Sequence, residues 1–317
     1  MNYLDYVNEK CIECNRCTKT CDFLTKYHIN LKDYTKREDL KYSCFLCDSC
    51  KMVCPVDLSG KEVSTNLRKG EDKGFSLLKF EKSPYIFRNN SKKKSEILLF
   101  LGCSFPRVYP KTSKKLIDLL EKHNIDFSID CCGKPIYETG DTQKIESHRQ
   151  RLSKIFAQKN TKTIVTACMN CYYFFKDEYD IEVISIYKLL RDLGIGKRSK
   201  DCINVFIPCP DKKSESVLDE IKYFYPNLKT PFKDIQCCGL GGLAISKEAD
   251  IANGFIEKLS DKKMPVTTYC ASCSLRFKKN NIDLNGHLLT KILGTNEEEN
   301  TGYFKGNMSI RNYRRTR

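Results

Sequence analysis

Of the 19 cysteines in this 317-residue chain, 18 fall into four spaced sets. Two runs near the start, "CIECNRCTKTC" and "CFLCDSCKMVC", supply Cys11, Cys14, Cys17 and Cys21, then Cys44, Cys47, Cys50 and Cys54. Two wider sets follow: Cys103, Cys131, Cys132, Cys168 and Cys171, then Cys209, Cys237, Cys238, Cys270 and Cys273. Each wider set contains a CCG triplet, separated from its first cysteine by 27 residues. A lone free cysteine is most simply a small buried hydrophobe, but ten in matched spacing are not. Neighbouring side chains in extended backbone point opposite ways, so paired thiols need a bend, which the glycine allows. Five thiolates exceed the four that one zinc ion or one cubane cluster takes. A more open iron–sulfur centre could use all five.

Each of the first two runs reads C-x2-C-x2-C-x3-C, and in this they are similar to bacterial two-cluster ferredoxins. In that pattern three close thiolates hold one [4Fe–4S] cube and the fourth crosses to the other. The resemblance implies one cluster on Cys11, Cys14, Cys17 and Cys54, and another on Cys44, Cys47, Cys50 and Cys21. Pro55 follows Cys54 as the pattern expects, whereas Asp22 stands in place of the first proline. A pair of zinc sites is the competing use, commonly built from separated C-x2–4-C pairs. The flanks "YVNEKCIECNRC" and "LSGKEVSTNLRKG" read as helical and resemble the helical ferredoxin module more than the small β-ferredoxin.

Beyond residue 95 the chain repeats itself. "ILLFLGC" answers "INVFIPC", "SIDCCG" answers "DIQCCG", and "TIVTACMNC" answers "PVTTYCASC". The offset is 106 residues from Cys103 to Cys209 and again from Cys131 to Cys237, and 102 from Cys168 to Cys270. Two copies of one domain are expected. Each copy alternates short apolar runs ending in cysteine with helix-period segments such as "SKKLIDLLEKHN", the pattern of βαβ units on a parallel sheet. Ligands of such sheets bind beyond the carboxyl ends of the strands, so the cysteines of one copy should meet on one rim. The expected fold class is α/β: a helical ferredoxin-like two-cluster module (1–70), a linker (71–95), a first CCG domain (96–200), a second (201–294) and a basic, mobile tail (295–317). The linker contains "FSLLKFEKSPYIF", apolar enough to pack on its own protein.

This layout resembles the cysteine-rich CCG family, which includes heterodisulfide reductase subunits and the iron–sulfur subunits of anaerobic glycerol-3-phosphate, lactate and glycolate dehydrogenases. The resemblance covers residues 5–293, and "CCGKPIYETGD" matches the family's CCG-x-P-x4-G run. It implies two noncubane [4Fe–4S] clusters on the ten CCG-set cysteines, a flavoprotein dehydrogenase or reductase partner, and a quinone, ferredoxin or disulfide as redox partner. In the reductases a disulfide is split between two such clusters. In the dehydrogenases the same layout relays electrons. A zinc-binding scaffold is the reading from another class. The 27-residue spacing is shorter than the family's usual one, so a small substrate pocket, or none, is expected.

The remaining features narrow the choice. Lys and Arg number 55 against 40 Asp and Glu, a formal charge of +15 that cluster thiolates would reduce. No nucleic-acid motif accompanies these charges, and no partner of that kind is expected. No G-x-G-x-x-G follows a strand, so no dinucleotide site is expected. The charged N-terminus and apolar runs short of the ~20 residues of a span predict a cytoplasmic protein, with peripheral association at the inner membrane face open. His28, His123, His148 and His287 fit no ligand spacing and are read as surface or core residues; Cys202 is read as a buried thiol.

Overall fold

The computed structural model describes residues 2–89, 91, 93–296 and 302–313. The N-terminal region is built of short helices, Tyr3–Lys10, Arg16–Thr20, Asp22–Lys26, Leu31–Tyr34, Ser49–Met52 and Gly60–Arg68. They are short because each cysteine run interrupts them. Glu13 and Asn15 in the first run, and Leu46 and Asp48 in the second, take left-handed backbone at matching positions. Asn30 and Asp33 form a reciprocal capping box that starts one helix.

The first repeat forms a four-stranded sheet of β1 (Ile97–Phe100), β2 (Asp126–Ser128), β3 (Thr163–Thr166) and β4 (Glu182–Ser185). The strands are parallel in the order β2-β1-β3-β4. Runs such as Ile97–Phe100 carry no alternating polar positions, as strands covered on both faces require. Phe100 pairs with Ser128 and Thr166, and Thr166 with Ser185. The carboxyl ends are therefore level, and the loops carrying cysteine leave from one rim. The crossover helix Pro110–Glu121 starts on proline and buries Leu116, Ile117 and Leu120 along one stripe.

The second repeat has three parallel strands, β5 (Val205–Phe206), β6 (Val266–Thr268) and β7 (Leu284–His287), in that order. The counterpart of β2 is reduced to one bridge between Asn204 and Lys229. Pro231, two residues on, has no N–H for a ladder, and its neighbours do not alternate.

The second repeat serves two cores at once. Val205 packs in the core of the first repeat, whereas its neighbour Phe206 faces the core of the N-terminal region. Alternation along a strand sends the two side chains to opposite faces. The stretch expected as a linker holds the helix Ser76–Lys82 and buries Tyr85 and Phe87. The tail, expected to be mobile, contains the helix Tyr303–Arg311, which buries Ile310. There Gly306 lies so close to Arg107 that a Cβ would stand 2.8 Å from its carbonyl oxygen. Sequence polarity concealed this helix because its buried face mixes Gly306 and Asn307 with Ile310, and Arg311 and Tyr313 add polar contacts to Ile86 and Asp118. Residues 297–301 and 314–317 of that tail lie outside the described residues. Among the described residues no helix is long and apolar enough to cross a membrane.

Arg68 pins the N-terminal region to the first repeat. It is fully buried and stacks 4.7 Å from the ring centre of Tyr42. Its guanidinium donates to the carbonyls of Lys41 (2.6 Å), Glu138 (2.8 Å) and Cys44 (3.3 Å). Arg68→Met would leave the Glu138 and Cys44 carbonyls unpaired, at about 1–3 kcal/mol for each buried group lost, while that of Lys41 keeps the Ser64 hydroxyl. We expect Arg68→Met to lower the thermal midpoint and to open residues 69–75 to limited proteolysis. An unchanged midpoint and cleavage pattern would show that the pin carries no stability.

Candidate functional site

In each repeat the five cysteines collect at one strand rim. Cys103 follows β1, Cys131 and Cys132 follow β2, and Cys168 caps the helix Met169–Glu178 after β3, with Cys171 in its first turn. In the second repeat Cys209 follows β5, and Cys270 caps the helix Ala271–Lys279, which holds Cys273. The CCG bend is the same in both copies. Gly133 (φ 99°) donates its N–H to the Cys131 sulfur at 3.5 Å, and Gly239 (φ 82°) to that of Cys237 at 3.3 Å. A Cβ at Gly133 would stand 2.8 Å from Ile145, so only glycine turns the chain there.

The sulfurs form matching networks. Hydrogen bonds from Cys131 and Cys171 draw the Cys132 thiol down to about 6. Those from Cys237 and Cys273 hold Cys238 well below the usual thiol range. The second cysteine of each CCG is thus drawn down by its neighbours, as Cys168 is by Cys171. Lys134 lies nearby; burial opposes its charge, but Glu138, Cys132 and Cys209 together raise its pKa above the ordinary value.

One cavity of about 760 Å³ lies between the two repeats. Cys103, Cys132 and Cys171 line one wall, and Cys209, Cys238 and Cys273 the other. The groups held by the two CCG sets would sit in this same space. The spacing before CCG sets the length of the crossover, whereas the width of the cavity is set by how the two repeats face each other. Asn170 crosses the gap and donates to the Cys270 sulfur at 3.8 Å.

The N-terminal cysteines separate into two groups. Cys11, Cys14, Cys17 and Cys54 line one small recess, with Cys14 exposed. Cys21 interacts with Cys47 and Cys44, and Cys50 with all three, in a buried group. Burial pushes the Cys44 thiol up to about 12. A bond from Cys237 draws Cys47 down to about 6, so this inner group adjoins the second CCG set.

Sequence reasoning missed Gln236, Asn170 and Lys134. Their only signal was position, beside or between cysteines that had already been singled out. It also misplaced Cys202, which is exposed, because lack of a repeat counterpart says nothing about burial. His28 and His123 are exposed, while His148 and His287 are buried. His148 supports the first CCG loop through its contact with the Cys131 carbonyl at 2.9 Å.

The donor sets fit iron–sulfur groups. Each set offers four or five cysteine sulfurs, the usual ligands of such clusters. Glycine leaves room where the sulfurs need it: a Cβ on Gly60 would stand 2.7 Å from the Cys50 sulfur, and one on Gly102 2.9 Å from that of Cys171.

Known proteins agree with this chemistry. The family model of the cysteine-rich domain CCG matches residues 97–176 and again 204–278. Uncharacterized iron–sulfur proteins of Methanocaldococcus jannaschii and Methanococcus maripaludis are each 25% identical to the chain, over 77% and 76% of it. The matches take in 61% and 60% of those proteins, so the chain spans about three-fifths of the length of these curated relatives. Residues 97–176 and 204–278 are thus two facing copies of the CCG cysteine-rich domain, each closing five thiols on one rim.

Proposed function

We propose that the chain is an iron–sulfur electron-transfer oxidoreductase of heterodisulfide-reductase-like type that works with a flavoprotein partner and cleaves a disulfide. The observation that carries this reading is the single cavity lined by both CCG sets. It opens thiols of both repeats to one space, so the groups they would hold face each other, as splitting a disulfide between them requires. The ferredoxin-type groups would be two cubane [4Fe–4S] clusters, and each CCG set would hold a noncubane one. When bound, these clusters supply one-electron exchange.

The chain's own residues provide the setting. The cavity walls bring thiols of both repeats to one space, and Lys134 offsets the negative charge of Cys132 and Cys209. In the overall reaction the S–S bond breaks, two electrons come from the flavoprotein, two protons come from water, and two thiols leave.

Anaerobic iron and sulfide analysis should find about sixteen irons per chain on this stoichiometry. Zinc without acid-labile sulfide would overturn the reading in favour of a scaffold. With reduced viologen as donor, disulfides should be consumed and the CCG-set spectra should change on adding thiol. Unchanged spectra across a broad disulfide panel, with rapid reduction by a flavoprotein, would leave electron relay as the function.

A further inference from the structure

The two repeats are not joined to the N-terminal region in the same way, and one difference lies in a single side chain. Gln236 immediately precedes the second CCG and is 9% exposed. Its Nε2 donates to the sulfur of Cys47 at 3.3 Å and to that of Cys21 at 3.6 Å. Its Oε1 accepts the Asp22 backbone N–H at 3.0 Å. That acceptor bond fixes which end of the amide is which, so the NH2 end is the one at the sulfurs. Ion pairs hold the contact from both sides: Lys258 with Asp22, and Lys26 with Glu248 and Asp250.

At the equivalent place in the first repeat, 106 residues earlier, stands Asp130. Its carboxylate takes two bonds from Arg151, at 2.7 and 2.9 Å, and stays within its own domain. A carboxylate at position 236 would repel sulfur anions. An amide there can donate to them.

We propose that Gln236 is a positioning residue: its amide, carried by the second CCG domain, sets the reduction potential of the group held by Cys21, Cys44, Cys47 and Cys50. The second CCG set is thereby tied to that group, and the first is not. The proposal rests on the iron–sulfur reading above. Donors to cluster sulfur favour the reduced, more negative state, so they raise the potential.

The test is a potentiometric titration of the anaerobically reconstituted full chain, followed by electron paramagnetic resonance. Gln236→Met should lower the reduced-to-oxidised ratio of one ferredoxin-type signal about tenfold at fixed poise, a shift of about 59 mV for one electron. The other ferredoxin-type signal should not move, and Asp130→Asn should shift neither. Should Gln236→Met lose iron, Gln236→Glu at mildly alkaline pH carries the test. It keeps the acceptor for Asp22, loses the donor and should shift further in the same direction. Wild-type potentials in an iron-replete variant would overturn the proposal alone. A wild-type chain with no ferredoxin-type signal would overturn the cluster reading, and the proposal with it.

Discussion

Cys237→Ser is expected to disturb two spectroscopic signals, and Cys131→Ser only one. The two residues hold the same place in their repeats, and loss of either should empty its own CCG set of about four irons on the proposed stoichiometry. Their surroundings differ. The Cys131 sulfur bonds within its own set, to Cys103 and Cys132. The Cys237 sulfur receives that of Cys209 at 3.5 Å and also bonds Cys47 of the inner ferredoxin-type group. Cys237→Ser should therefore alter the ferredoxin-type signal as well as abolish that of the second CCG set. Cys131→Ser should leave both ferredoxin-type signals intact. Resonance spectra at graded potentials, with iron counted on the same samples, decide the matter. Equal, confined losses in both variants would mean that the Cys47–Cys237 contact has no electronic consequence.

The second large effect is expected from one methyl group. Gly242 takes left-handed backbone (φ 68°), and a Cβ there would stand 2.2 Å from the Cys44 carbonyl oxygen. Its neighbour Gly241 approaches Phe45 in the same way, at 2.3 Å. These glycines of "CCGLGGL" let the second repeat lie directly on the backbone of the second ferredoxin-type run. Left-handed backbone alone costs a non-glycine residue about 1–3 kcal/mol, and the overlap cannot be relieved without moving the loop. Gly242→Ala should cost about 3 kcal/mol or more in denaturant unfolding and loosen the inner group's iron. Gly254 is the control. It sits within the helix Ala249–Ser260 with nothing within 4 Å of its added Cβ. Gly254→Ala should be neutral or gain up to about 1 kcal/mol. Equal stability of the two variants would show that the close approach does not hold the modules together.

Much of this protein could be read without coordinates, because the signals were local or repeated. The ferredoxin-type runs fit within eleven residues each, so their spacing alone constrains where the sulfurs point. The constant offset between CCG triplets exposes the duplication. Apolar runs such as Ile97–Phe100 ending just before cysteine identify parallel strands with thiols at their carboxyl rim. The αL turns at Gly133 and Gly239 follow from adjacent thiols that must share a bend.

What the tertiary structure alone decided is how the four sets adjoin. Gln236 meets Cys47 across 189 residues of chain, and Asn170 meets Cys270 across 100. Neither residue has a period, a motif or a composition that marks it. The tail helix docks through Gly306, Asn307 and Ile310, a buried face too polar to make an apolar stripe. The width of the central cavity likewise depends on how whole domains pack. Local spacing fixes the geometry of a ligand set because the chain between its members is short. The order of the sets across the molecule rests on long-range contacts between single side chains, and these take their meaning only once the domains have met.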